Sequence, residues 1–136
     1  METITPLHQG ISVPDAEAAA AWYADVFGFE PVRRERNEAL NAKIVFLRSG
    51  AFELELFEYL GEDARPLPPE RREPNEDIKT CGTKHVAYRV ENMDRMAAWL
   101  RAKDVDFAMP PFDMNGDQVC FIRDCAGTLI ELIQKA

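Results

Sequence analysis

Hydrophobic and polar positions alternate along the first part of the chain in the order strand, helix, strand and hairpin. The predicted elements are a strand at 4–13, a helix that runs to about Phe27, a strand at 29–35, and a hairpin of 44–47 and 52–57. Asp15 follows a proline and is placed to cap the helix, and Gly28 is placed to end it in a left-handed conformation. The pattern therefore predicts a β-α-β-β-β order.

The same order of patterns returns in the second part of the chain. The predicted elements are a strand at 84–90, a helix that begins at Asn92 or Asp94, a strand at 105–109 ended by Pro110-Pro111, and strands at 119–123 and 128–134. Asn115-Gly116 is a typical hairpin turn before the third of these strands, and Gly127 is expected to turn the chain into the last. This part also has a β-α-β-β-β pattern.

Between the two patterns lies a segment of prolines and charges, 61–80, whose composition favours a connector without packed structure. We therefore predict a single domain over 1–136, with a first module at about 1–60 and a second at about 81–136. The predicted fold class is α+β. Neither module has enough apolar surface to fold alone, so the two tandem βαβββ modules are expected to form one curved mixed sheet around a concave site, with the helices outside.

The only two histidines of the chain occupy equivalent places in this repeat. An offset of 85 − 8 = 77 superposes His8 on His85 and also Trp22 on Trp99. The matched tryptophans are expected to belong to the core, because aromatic residues at such helix positions usually pack. The matched histidines need a different explanation, since they lie in strands.

Alternation along the strands places both histidines on the face opposite the helices. On the last strand of each module the same face carries Glu55 and Glu131, and Glu55-Leu56 aligns with Glu131-Leu132 once one residue is removed from a turn. Glu53 shares this face but lacks such a match. Two histidines and two glutamates are thus predicted to point into one concavity.

Carboxylates are costly to bury without a counter-charge, and a divalent metal would remove that cost. Two neutral imidazoles and two carboxylates balance a 2+ ion and suit Zn, Ni, Co, Fe or Mn, with positions left open for water or substrate. The predicted metal ligands are His8, Glu55, His85 and Glu131.

Several segments together resemble the vicinal oxygen chelate superfamily, the group of glyoxalases, bleomycin-resistance proteins and extradiol dioxygenases. They are His8–Asp15 with Trp22-Tyr23 and Phe27-Gly28-Phe29, Glu55-Leu56-Phe57, Lys84–Ala87, and Phe121–Leu132. The resemblance covers nearly the whole chain and is strongest to the single-domain, glyoxalase-like members. It implies ligands on the first and last strand of each module, which again selects His8, Glu55, His85 and Glu131.

The resemblance implies a metal-dependent lyase or isomerase of the glyoxalase type, similar to lactoylglutathione lyase. Such an enzyme acts on a small carbonyl substrate through a chelated enediolate or enolate, with Glu131 or Glu55 also serving as the catalytic base. Alternatives are a racemase like methylmalonyl-CoA epimerase, an extradiol dioxygenase, and a non-catalytic small-molecule binding protein. The epimerases often carry glutamine at the second ligand position and a separate acidic base, for which Asn41-Ala42-Lys43 supplies no carboxylate.

Further residues on the predicted inner face are candidates for substrate binding. Arg89 would hold an anionic group or form an ion pair with Glu53 or another carboxylate of the wall. Glu53 would support the ligands or stand as charge at the rim, and Phe57 would line the wall. The basic cluster of Arg33, Arg34 and Arg36 is interrupted by Glu35, which favours solvated charge at a strand edge over a phosphate site.

Composition excludes several partners. A net charge of −8 opposes nucleic-acid binding, and no apolar run reaches the length of a membrane span. Three cysteines without a CxxC pair and the lack of a signal peptide favour a cytoplasmic location. The expected partners are a small-molecule substrate and, from the resemblance, a second copy of the chain in a homodimer.

Overall fold

A computed structural model describes residues 1–136. Its elements follow the order β-α-β-β-β twice, with two short helical turns between the repeats. They are β1 (His8–Ser12), α1 (Ala16–Phe27), β2 (Glu30–Asn37), β3 (Ala42–Ser49), β4 (Phe52–Tyr59), a 3-10 turn (Pro69–Arg72), α2 (Pro74–Asp77), β5 (Val86–Arg89), α3 (Met93–Ala102), β6 (Asp106–Met114), β7 (Asp117–Arg123) and β8 (Leu129–Gln134). The predicted α+β class and the two βαβββ modules are confirmed.

Strand hydrogen bonds form two four-stranded mixed sheets, ordered β1-β4-β3-β2 and β5-β8-β7-β6, where the sequence interpretation had described one curved sheet. In each sheet the first strand pairs in parallel with the last, and the remaining neighbours are antiparallel. The chain divides into two compact units, the N-terminal unit Met1–Pro66 and the C-terminal unit Leu67–Ala136. Each unit contains one complete sheet.

Helix α1 has the ends that the sequence predicts. The Asp15 side chain accepts a hydrogen bond from the Ala18 amide, and Gly28 adopts a left-handed φ of 72° after the last turn. Helix α3 begins in the same way, with Asn92 accepting from the Arg95 amide. Both helices have buried residues, and the last strand of each sheet adds two fully buried ones: Leu54 and Leu56 in the N-terminal unit, and Ile130 and Leu132 in the C-terminal unit.

A second contact ties each helix start to the last strand of its own sheet. Glu58 Oε1 accepts a hydrogen bond from the Ala16 amide at 2.9 Å, and Gln134 Oε1 accepts one from the Met93 amide at 2.6 Å. These amides are the first of their helices and have no partner within the helix. We call each of these contacts a helix clasp. The clasp fixes the helix to the strand that carries Glu55 or Glu131.

Pro110-Pro111 does not end β6, contrary to the sequence prediction, since the strand continues to Met114. Strand β6 lies at the edge of its sheet, and its pairing with β7 shifts between Met109 and Phe112, across the two prolines. A proline at an edge or a bulge removes no required hydrogen bond. The following turn at Asn115-Gly116 has positive φ at both residues, as the hairpin signal predicts.

The tryptophans are less buried than predicted. Trp22 is half-buried and makes edge contacts with Tyr23 and Phe27, whereas Trp99 is 44% exposed, so the core assignment is wrong for Trp99. In α3 the buried positions are Met93, Ala97 and Leu100, and Trp99 stands beside that stripe rather than in it.

The predicted connector is more ordered than its composition suggests. Asp77 at the end of α2 is buried, with an exposed fraction of 1%, and its carboxylate pairs with Arg71 and with Lys84 Nζ. Lys84 also donates to the Asp77 carbonyl at 2.5 Å. Because Lys84 precedes His85, this contact fixes the chain just before β5. No helix of the structure is long and apolar enough to cross a membrane.

Candidate functional site

The N-terminal unit places His8 against Glu55. His8 begins β1 and Glu55 lies in the middle of β4, which runs parallel beside it with Gly10 and Glu55 in register. His8 Nε2 lies 3.0 Å from Glu55 Oε2, and the two side chains are 35% and 14% exposed. A histidine and a carboxylate from two strands therefore meet at a partly open surface.

The C-terminal unit repeats this arrangement. His85 immediately precedes β5, and Ala87 on that strand is in register with Glu131 on β8. His85 Nε2 lies 2.9 Å from Glu131 Oε2, with side-chain exposures of 29% and 11%. In both units the histidine stands two residues before the residue paired with the glutamate. The two His–Glu pairs are thus produced by the same strand register.

A phenylalanine lies against each His–Glu pair, and the sequence pattern did not predict it. Phe46 on β3 is the cross-strand partner of Glu55, and Phe121 on β7 is that of Glu131. The His8 and Phe46 rings are T-shaped at 6.4 Å between centroids, and the His85 and Phe121 rings are T-shaped at 5.0 Å. The available signal was the repeat itself, since Phe46-Leu47 matches Phe121-Ile122 in sequence.

The donor atoms of each pair suit a first-row divalent metal. An imidazole nitrogen and a carboxylate oxygen are ordinary ligands of Zn, Ni, Co, Fe and Mn, and the flanking phenylalanine limits the positions the imidazole can take. The structure forms no group of three or more His, Cys, Asp and Glu side chains suited to one ion. The contacts that it forms directly are one His–Glu pair in each unit.

A family model described as the glyoxalase/bleomycin resistance protein/dioxygenase superfamily matches residues 5–132. The chain belongs to this superfamily. The match spans both units and includes every residue of the two His–Glu pairs.

Relatives within the superfamily include CoA thioester epimerases. The chain is 30% identical to ethylmalonyl-CoA/methylmalonyl-CoA epimerase of Cereibacter sphaeroides over 134 residues, covering 93% of this chain and 95% of the relative. It is 28% identical to mitochondrial methylmalonyl-CoA epimerase of Homo sapiens over 131 residues, covering 93% and 72%. A glyoxalase family protein from Enterococcus faecalis superposes with a TM-score of 0.76 at 26% identity, covering 96% and 97%. These similarities support an enzymatic role for this chain, in the general sense of the superfamily and not of one reaction.

The residues predicted to bind substrate lie in different surroundings within the superfamily fold. Glu53 is next to Glu55 on the same strand face and receives a hydrogen bond from Arg48 Nη2 at 3.2 Å. The Phe57 ring is so close to Gly10 that a β-carbon added there would lie 3.1 Å from it. Phe57 is therefore part of the surface beside the first His–Glu pair.

Arg89 ends β5 as an exposed residue, in register with Ile133. It stands two residues beyond Ala87, so it shares the strand face of His85. Its guanidinium is thus in the C-terminal unit, on the same side of the sheet as the second His–Glu pair.

Proposed function

We propose that this protein is a metal-dependent lyase or isomerase of the glyoxalase type that moves a proton at the carbon next to a carbonyl group. The observation that carries the proposal is the pair of matching contacts, His8 with Glu55 and His85 with Glu131, at 3.0 and 2.9 Å. Repeating a His–Glu contact at the same register in both units is more than either core requires. The substrate would be a small carbonyl compound.

His8, Glu55, His85 and Glu131 would together hold one divalent ion. Each pair offers a neutral nitrogen and an anionic oxygen, so two pairs balance the charge of a 2+ ion. When bound, the metal would polarise the substrate carbonyl and stabilise negative charge on its oxygen.

The protein side chains would carry the proton. Glu131 or Glu55 is the proposed catalytic base. Proton transfer by a positioned carboxylate typically increases the reaction rate about 10²–10⁴-fold. Phe46 and Phe121 lie beside the pairs and would reduce the access of water to the carbanion-like state.

An epimerase of CoA thioesters is the second candidate, and it is favoured by relatives that cover 93% of this chain. It uses the same proton transfer next to a carbonyl. The segment Asn41-Ala42-Lys43 has no carboxylate, and Glu58, whose Oε2 lies 3.7 Å from Lys43 Nζ, already accepts the hydrogen bond of the helix clasp. An epimerase built on this chain would therefore use the glutamates of the His–Glu pairs rather than a separate base.

Proton exchange in D₂O tests both candidates at once. The protein, loaded in turn with Ni²⁺, Co²⁺ and Zn²⁺, is incubated with a 2-oxoaldehyde hemithioacetal and with a 2-methyl-branched malonyl-type CoA thioester. Deuterium incorporation at the carbon next to the carbonyl is followed by NMR and mass spectrometry. We expect exchange with one substrate class, and the active class identifies the reaction.

Metal content provides an independent readout. We expect one ion per chain in the protein, a loss of bound metal in His8→Ala and His85→Ala, and no loss in Arg36→Met, since the Arg36 side chain pairs with Glu38 elsewhere on the surface. Unchanged metal content in both histidine variants, together with no exchange on either substrate, would overturn the proposal. Size-exclusion chromatography with light scattering tests the homodimer that we also expect.

A further inference from the structure

Arg33 lies on β2, the edge strand of the N-terminal sheet, in register with Phe46. Phe46 is in turn the partner of Glu55, and Glu55 is the partner of Gly10. A single row of residues therefore crosses all four strands on one face. Because His8 contacts Glu55 and Phe46, this row places Arg33 beside the first His–Glu pair.

The Phe46 ring holds the Arg33 guanidinium. The guanidinium carbon lies 3.9 Å from the ring centroid, a distance that allows a favourable cation–π contact. The nearest carboxylate is Glu35 Oε2 at 3.6 Å from Nε, beyond ordinary hydrogen-bond length. The side chain is 55% exposed. Its N–H groups are thus oriented by stacking and remain available to a ligand.

The neighbouring arginines of β2 have different partners. Arg34 donates to Glu17 of α1 from Nε at 2.5 Å and from Nη2 at 3.0 Å, which ties β2 to the helix. Arg36 pairs with Glu38 at 2.8 Å. Arg34 and Arg36 alternate with Arg33 along the strand, so they belong to the opposite face. Of the three, only Arg33 is directed to the face of the His–Glu pair.

The C-terminal unit has no cation at the matching place. Strand β6 has a register shift between Phe107 and Met109 where β2 has one between Pro31 and Arg33, and Met109 is the partner of Phe121. Methionine and arginine are both long enough to cover the phenylalanine, but only arginine adds charge and donors. The matching position is therefore occupied by an uncharged residue, so the repeat itself does not require an arginine there.

We propose that Arg33 binds an anionic oxygen group of the substrate, a carboxylate or a phosphate, and so determines substrate specificity. A planar guanidinium stacked on a ring presents paired donors that match either group. The part of this inference that concerns the substrate rests on the proposed function, whereas the binding of an anion by Arg33 does not. It assigns a role to a residue whose sequence context had favoured solvated charge at a strand edge.

Binding is tested with succinate and inorganic phosphate as separate probes of metal-loaded protein. The Nε–Hε resonance of Arg33 is followed by ¹⁵N NMR, and dissociation constants are obtained from the titrations. We expect one probe to shift this resonance and to bind about tenfold more weakly to Arg33→Met, which reproduces the residue of the C-terminal unit. Arg36→Met should bind like the unaltered protein. No shift at Arg33 with either probe would overturn the proposal.

Kinetics separate this role from a structural one. For the active substrate of the exchange assay, we expect Arg33→Met to raise KM about tenfold with kcat changed less than about twofold, and Arg33→Lys to recover part of the loss. An analogue with the anionic group esterified should be processed equally well by the unaltered protein and by the Arg33→Met variant. Equal effects on the anionic and esterified substrates would overturn the proposal. Anion binding at Arg33 without any proton exchange would support it while contradicting the proposed function.

Discussion

The two units build their His–Glu pairs with one register but surround them differently. In both, a residue of the first strand, a glutamate of the last strand and a phenylalanine form a row across the sheet. In the N-terminal unit the row ends at Arg33, and in the C-terminal unit it ends at Met109. The two units therefore share the His–Glu pair and its phenylalanine, whereas the edge strand beside the phenylalanine, β2 or β6, differs in chemistry.

The opposite face of each sheet also combines a residue common to the two units with neighbours that differ. The row behind the pair contains Ile11 and Val45 in the N-terminal unit, each in register with Leu56. The matching residues of the C-terminal unit are Tyr88 and Cys120, each in register with Leu132. The leucine is kept, and the residues beside it differ in polarity. The following experiments challenge the equivalence of the units, beginning with the largest effect.

Replacing each glutamate by glutamine tests whether the pairs share the chemistry equally. We expect Glu131→Gln to lower the exchange rate about 10²–10⁴-fold, the usual value of a catalytic carboxylate. Glu55→Gln should lose less, because with Glu131 as the base Glu55 would serve only as a ligand, and glutamine keeps an oxygen donor. Exchange rates are measured at saturating metal. Equal losses in the two variants, with metal content preserved, would show that both glutamates act as bases.

Truncating the phenylalanines tests whether the two rows are equally packed. Phe46 is 5% exposed and also supports Arg33, whereas Phe121 is half-buried. We expect Phe46→Ala to lower the free energy of unfolding by about 3 kcal/mol and Phe121→Ala to lower it by about 2 kcal/mol. Urea unfolding measures both values. A greater cost for Phe121→Ala would contradict the assignment of Phe46 as the more tightly packed ring.

The helix clasps predict a smaller and more symmetric effect. Glu58→Ala and Gln134→Ala each remove an acceptor from the first amide of a helix, and we expect each to cost about 1 kcal/mol of unfolding free energy. Glu58→Gln is the matched control, because glutamine performs this role in the C-terminal unit. It should cost much less than Glu58→Ala. A similar loss for both substitutions would mean that the charge of Glu58, rather than its hydrogen bond, is required.

Local patterns were sufficient to predict much of the fold and the strand face shared by the residues of the two His–Glu pairs. Asp15 and Gly28 mark the ends of α1 correctly because capping depends on nearby backbone atoms. The repeat offset selected His8 and His85, and strand alternation gave them the same face as Glu55 and Glu131. Their assignment as ligands of one metal stays a prediction.

Non-local pairing was beyond the sequence pattern. Phe46 and Arg33 face the first pair because of strand register, and the shift after Pro31 decides which face Arg33 takes. One inserted residue reverses alternation, so charge pattern alone cannot place the side chain. Pro110 was interpreted as a strand end because edge position, which makes a proline tolerable, depends on the whole sheet.

Alkaline pH should weaken the C-terminal unit through two groups that the N-terminal unit lacks. Burial raises the pKa of Tyr88 to about 12, with a further contribution from Asp124, and burial raises the pKa of Cys120 to about 11. When the pKa of a group is higher in the folded protein than its ordinary value, the folded state binds that proton more tightly than the unfolded state does. The resulting stability is complete below the ordinary values of 9.0 for cysteine and 10.0 for tyrosine, and it is lost as pH rises through 11 and 12.

Cys120→Val isolates one of these groups by introducing the residue that the N-terminal unit has at Val45. We expect the variant to lose less stability than the unaltered protein between pH 9 and 11, by on the order of 1 kcal/mol, as measured by urea unfolding at each pH. Cys81→Val is the control because Cys81 is exposed and should leave the slope unchanged. Parallel pH profiles for Cys120→Val and the unaltered protein would show that the buried thiol does not distinguish the two units. A flatter profile would trace part of their difference to a single side chain, next to Leu132 in the sheet.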